Sequence, residues 1–92
     1  MIIHPLKFCV YTHRIADKIV YVGKGRGQRA FTSEFRNSKW RETVLPAGVF
    51  DVNIIDWFES SADAEDLEKQ LIKEHKPICN SMHNGYSRRG VL

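Results

Sequence analysis

No apolar run in this 92-residue chain approaches the ~20 residues that a membrane-spanning helix needs, so a membrane protein of that kind is not expected. The start, Met1-Ile2-Ile3-His4-Pro5, has neither the charged beginning nor the long apolar region of a secretory signal. The expected location is therefore cytoplasmic, or nuclear if eukaryotic, and not secreted. Cysteine is scarce: Cys9 and Cys79 stand far apart, and His4, His13, His75 and His83 are equally scattered. No structural zinc site can be read from that spacing. In a reducing compartment the two cysteines read as free thiols. There is no low-complexity block and no internal repeat, which argues against an extended disordered chain. The Gly-x-x-x-x-Gly-Lys-Ser/Thr pattern of a nucleotide-binding loop is also missing, although a glycine-rich basic segment is present.

What the chain does contain suits one small globular domain, 1–92, with a core over about 6–80 and a short polar tail over 81–92. The net charge is only +3, but its distribution is uneven. From Lys24 to Arg41 there are six Lys or Arg and one acid, Glu34, whereas Glu59 to Glu68 holds five acids and no base. A fold that keeps this segregation has a basic surface where phosphates dock. Two ordinary solvated helices of opposite sign give the same pattern.

Leu6 to Thr12 is rich in β-branched and aromatic residues and predicts a strand; Ile19 to Gly23 predicts its hairpin partner. Gly23-Lys24-Gly25-Arg26-Gly27 then predicts a turn whose backbone N–H groups approach a ligand before feeding a helix near Gln28. Ala30, Phe31 and Phe35 are expected on that helix's buried side, with a break at Asn37-Ser38 before a second segment, Lys39 to Leu45. Phe50 to Phe58 predicts a third strand, apolar through Ile55. Ser60 starts a last helix from about Ala62 to His75, stopped before Pro77. The order is β-β-α-β-α: an α+β domain with a small three-stranded antiparallel sheet flanked by helices.

Three groups carry candidate chemistry. Glu68 shares a helix stripe with Ala64, Leu71 and Ile72, so its carboxylate is turned toward the sheet. That placement is costly unless a cation or hydrogen bonds meet the carboxylate, and the two readings are a Mg²⁺ ligand or a salt bridge to an arginine at the core edge. Lys24, Arg26 and Arg29 follow the second strand, where a guanidinium can hold the oxygens of a phosphate in a transition state. Tyr11 and Tyr21 sit on the two hairpin strands, either as packing residues or with hydroxyls at a cleft.

In order and spacing these residues resemble the GIY-YIG endonuclease family over roughly residues 6–80. Cys9-Val10-Tyr11 stands for Gly-Ile-Tyr, Tyr21-Val22-Gly23 for Tyr-Ile-Gly, and Lys24 and Arg29 match the lysine and arginine that follow. Glu68-Lys69-Gln70-Leu71-Ile72-Lys73 through Lys76-Pro77-Ile78-Cys79-Asn80 is similar to the family's Glu-x-x-Leu-Ile-Lys…Pro-x-x-Asn segment. The resemblance implies metal-dependent hydrolysis of DNA phosphodiester bonds, with low intrinsic sequence specificity or structure selectivity. It gives Tyr11 the attacking water, with Tyr21 and Lys24 shaping its hydrogen bonds, and Arg29 the scissile phosphate. Glu68 holds a single Mg²⁺ or Mn²⁺, and Asn80 fixes local geometry. Two positions depart from the pattern: Cys9 replaces the first glycine, and Ser33 stands where many members carry His or Tyr. His13 and Tyr86 are the candidates to fill that role.

Lys24, Arg26, Arg36, Lys39, Arg41, Arg88 and Arg89 are the expected contacts to a nucleic-acid backbone. DNA is the expected partner, with RNA left open because no residue here reads a 2′-hydroxyl. Targeting is expected to come from a homodimer or a protein partner. The rival expectation is a catalytically weak module of the same fold that binds nucleic acid, or that inhibits another protein through its acidic helix.

Overall fold

A computed structural model describes residues 6–80. Strand β1 (Phe8–Ile15) turns at Ala16-Asp17 into β2 (Lys18–Arg26). A single 3₁₀ turn, Arg29–Phe31, follows; then come helix α1 (Ser38–Ala47), strand β3 (Asp51–Phe58) and helix α2 (Ser61–His75). The three strands form one antiparallel sheet in the order β2-β1-β3, so the fold is α+β as expected. Among the described residues no helix is long and apolar enough to cross a membrane.

Because β1 is central and covered on both faces, Cys9 through His13 are all buried. Register assigns the faces. Cys9 pairs with Gly25, Tyr11 with Gly23 and His13 with Tyr21, which puts these six on one face. Val10, Thr12, Val22 and Lys24 take the other. On that second face Ala64, Leu67, Leu71 and Ile72 of α2 pack against Val10, Val22 and Phe58. Trp40 and Val44, four residues apart on α1, pack with Val20, Cys79 and Phe50. Cys9 and Cys79 lie in separate clusters as buried free thiols.

Local chemistry accounts for the helix ends. The Ser60 hydroxyl accepts from the N–H groups of Ala62 and Asp63, and α2 ends at Lys76 in the left-handed conformation. Asn37 caps α1 by accepting from Trp40 N–H at 2.7 Å, while its amide donates to the Cys79 carbonyl. Gly48, at φ 85°, closes the other end.

Several expectations need correction. The first strand runs Phe8–Ile15 rather than Leu6 to Thr12, since its last residues pair with β2 and β3. The glycine-rich turn is strand as far as Arg26, and only Gly27 has a positive φ. No helix runs from Gln28 to Phe35; the 3₁₀ turn gives way to a loop in which Phe31 and Phe35 face solvent. Ile55 is the unpaired residue of a bulge, between Ile54 opposite Tyr11 and Asp56 opposite Val10, and it is exposed.

The free edge of β2 is closed by a side chain. Asn80 accepts from Val22 N–H at 2.7 Å and donates to Val22 C=O at 2.9 Å, in place of one rung of a fourth strand. Replacing Asn80 with Ala leaves both backbone groups without partners in a buried place. Urea denaturation is expected to show a loss of about 2–3 kcal/mol, and a loss below the noise would mean that water substitutes freely.

Candidate functional site

The face bearing Tyr11 and Tyr21 is a cluster of aromatic rings around one cation. Tyr11 and Tyr21 lie 6.3 Å apart between ring centroids, and His13 packs against both. The two glycines on this face make room for side chains. A Cβ on Gly23 would sit 2.5 Å from the Tyr11 ring and hydroxyl, and one on Gly25 would collide with the aliphatic stem of Arg29. Their alternate spacing is therefore the period of a strand face rather than of an anion-binding turn.

Arg36 is at the centre. It was expected on the surface, contacting a phosphate backbone, but it is only 4% exposed. Its Nη1 donates to the Tyr11 hydroxyl at 2.7 Å, Nη2 to the Arg29 carbonyl at 2.6 Å and Nε to the Thr32 carbonyl at 3.0 Å. The guanidinium carbon lies about 5.4–5.5 Å from the ring centroids of Tyr11, Tyr21 and Trp40. Among the described residues no carboxylate comes within ion-pair distance of it. Arg29 is engaged in the same way: Nη1 donates to the Glu34 carbonyl at 2.6 Å and Nη2 to the Phe35 carbonyl at 2.9 Å. These two arginines, bonded to carbonyls four to seven residues away, hold residues 29–36 in a loop.

His13 is fully buried with both ring nitrogens in use. Nε2 donates to the Ala30 carbonyl at 2.6 Å, and Nδ1 accepts from the Trp40 indole at 3.0 Å. That pairing fits the neutral ring alone. Burial lowers the His13 pKa to about 4, with the charges of Arg36 and Arg29 adding to the shift and the Ala30 carbonyl opposing it. His13 therefore does not supply the role left open at Ser33, and Tyr86 lies outside the described residues.

The remaining candidates sit as follows. Tyr11 is 1% exposed, whereas Tyr21 is half-buried. Burial raises the Tyr21 pKa, the charges of Tyr11 and Glu68 raise it further, and Arg36 works against the rise. Glu68 is half-buried on α2, and loss of water raises its pKa against the pull of Lys24. No Lys, Arg or His nitrogen lies within ion-pair distance of it among the described residues. Lys24 Nζ donates to the Ser61 hydroxyl at 3.1 Å, at the start of α2. The electrostatic coupling of Tyr21, Glu68 and Lys24 thus spans β2 and α2, with Asn80 holding the β2 edge. Arg26 is exposed over the Phe8 ring, Lys39 is half-buried and Arg41 is exposed. Arg88 and Arg89 lie outside the described residues.

Among the described residues no group of three or more His, Cys, Asp or Glu is arranged to hold a metal. A single desolvated carboxylate without an ion-pair partner still suits Mg²⁺, which takes one or two protein carboxylates and fills its shell with water and phosphate oxygens. Sequence reading missed His13 and Arg36 as organisers. The parity of His13 with Tyr11 was a usable signal, and nothing local marked Arg36.

Comparison with protein-family models, with curated proteins and with solved structures found no match for this chain.

The buried His13 makes stability depend on pH. Its folded pKa lies below the unfolded value of 6.5, so the chain is most stable, with respect to this residue, above that value. As pH falls from 6.5 to about 4 only the unfolded chain takes up the proton, with a loss of about 3 kcal/mol. Urea titrations across this range should show that slope, and His13→Gln should flatten it. An equal slope in both proteins would contradict the assignment.

Proposed function

We propose that the chain is a metal-dependent endonuclease of the GIY-YIG type that hydrolyses DNA phosphodiester bonds. The observation that carries the reading is Glu68. It is a half-buried carboxylate on α2 with no ion-pair partner among the described residues, and loss of water raises its pKa against the pull of Lys24. A carboxylate kept in that setting is costly unless a cation arrives with the substrate. The resemblance of the two tyrosine motifs, Arg29 and the Glu68…Asn80 segment supports the same reading.

In this scheme Glu68 holds Mg²⁺ or Mn²⁺. The ion supplies Lewis-acid polarisation of the phosphoryl oxygens and charge neutralisation at the leaving oxygen. Tyr21, the less buried of the two tyrosines, orients the attacking water, and Lys24 contributes charge from the α2 side of β2. Tyr11 acts from behind: its oxygen accepts from Arg36, so its own proton points away from that cation, and the pair fixes the position of Tyr21. Arg29 binds the scissile phosphate with the N–H groups that its loop carbonyls leave free.

A second reading is favoured by two observations. Tyr11 is buried, and both terminal nitrogens of Arg29 are already bonded to loop carbonyls. Both facts suit a module that grips nucleic acid and cuts it poorly or not at all.

Nicking of supercoiled plasmid with Mg²⁺ or Mn²⁺ separates the two. Glu68→Gln is expected to lower cutting at least about a hundredfold while melting no lower than wild type, because it removes a desolvated charge. Mn²⁺ is expected to raise the melting temperature of wild type and not of Glu68→Gln. DNA binding by wild type without metal-dependent cutting of plasmid, branched or single-stranded DNA would leave the binding module as the function.

A further inference from the structure

Phe35 is the most exposed large apolar side chain of the described residues, at 90%, and Phe31, four residues earlier, is 58% exposed. Phe35 also has a φ of 58°, a left-handed backbone conformation that a bulky residue rarely adopts. Solvent exposure and backbone strain on one side chain call for a reason outside the fold. The strain is held in place from within. Arg29 donates to the carbonyls of Glu34 and Phe35, and Arg36 donates to those of Arg29 and Thr32, so the loop is clamped at both ends.

The surroundings say what the ring is for. The residues between the two phenylalanines are Thr32, Ser33 and Glu34, all polar. Glu34 is also the one acid in the run from Lys24 to Arg41, where exposed Arg26 and Arg41 face solvent. A ligand for this loop needs negative charge and a flat π-face together. Nucleic acid with an unpaired base has both.

We infer that the Phe31–Phe35 loop is a base-stacking element, in which Phe35 takes an unpaired nucleobase of a nucleic acid whose phosphates meet exposed Arg26 and Arg41, the latter bonded to the Arg36 carbonyl beside Phe35. The inference deepens the nuclease reading and rests on nucleic acid being the substrate. It makes the substrate single-stranded, or a junction with an unstacked base, rather than uninterrupted duplex. The clamp adds to affinity because the ring is already ordered before binding.

The test is fluorescence anisotropy with labelled single-stranded oligonucleotides and their matched duplexes, in EDTA so that nothing is cut. Phe35→Ala is expected to bind single strands about 5- to 100-fold more weakly, the range for loss of one stacked base. Its duplex affinity and its salt slope are expected to be unchanged, because no cation is removed. Phe35→Trp should keep the affinity. Phe35→Asn suits the left-handed backbone and should bind as weakly as the Ala variant while melting no lower than wild type. Quenching of 2-aminopurine at an unpaired position by wild type and not by Phe35→Ala gives a direct signal of stacking.

Equal binding of single strands by wild type and Phe35→Ala overturns the inference, and so does an equal loss on single strand and duplex. Sedimentation showing a wild-type dimer that Phe35→Ala dissociates overturns it in favour of self-association. If the stacking signature is present but metal-dependent nicking is absent, base stacking stands and the nuclease reading fails. If wild type binds no nucleic acid, both fail.

Discussion

A guanidinium buried without a carboxylate is the constraint on which the rest of this structure depends. Taking such a charge out of water costs several kcal/mol even after relaxation. Arg36 recovers this through two backbone carbonyls, the Tyr11 hydroxyl and the faces of three aromatic rings. Each partner is committed in return. The carbonyls of Arg29 and Thr32 are taken up by its guanidinium, Tyr11 fits beneath Gly23, and His13 is neutral between Ala30 and Trp40. The loop holding Phe35 in a strained conformation is a further consequence of the same arrangement.

How much could be read in the chain beforehand depended on whether the deciding interactions were local. Helix α2 was legible because Ser60 caps it through its own neighbours and Pro77 follows its end. The three strands were legible from their apolar and β-branched runs. The stretch from Gly23 to Arg36 was misread for one reason. Its alternate glycines and its Ala30, Phe31 and Phe35 spacing suggest a turn and a helix, whereas side-chain contacts that periodicity does not encode decide its shape. Gly23 is there for Tyr11, Gly25 for the Arg29 stem, and two arginines take the carbonyls. The motif residues were easier to pick out than the cation that organises them.

The site draws on both faces of one hairpin strand. Tyr21 points to the aromatic side, while Lys24 reaches Ser61 at the start of α2, and Asn80 fixes the β2 edge. Glu68 and Phe35 share a physical character. Each sits where the isolated chain would be better off with another residue: a desolvated carboxylate in one case, an exposed ring on strained backbone in the other. In the readings proposed above, such positions are where the fold gives up stability for a ligand.

The most direct test of the central role of Arg36 is the guanidinium ¹H–¹⁵N NMR spectrum of the folded chain. A cation fixed between Tyr11, two carbonyls and three rings should give resolved, slowly exchanging Nη–H signals with cross-peaks to the Tyr11 ring. Tyr11→Phe should speed exchange of the Nη1 protons alone. A single averaged Arg36 signal exchanging at the rate of a surface arginine would contradict the account, and the loop, the neutral His13 and the Phe35 conformation would then need another cause.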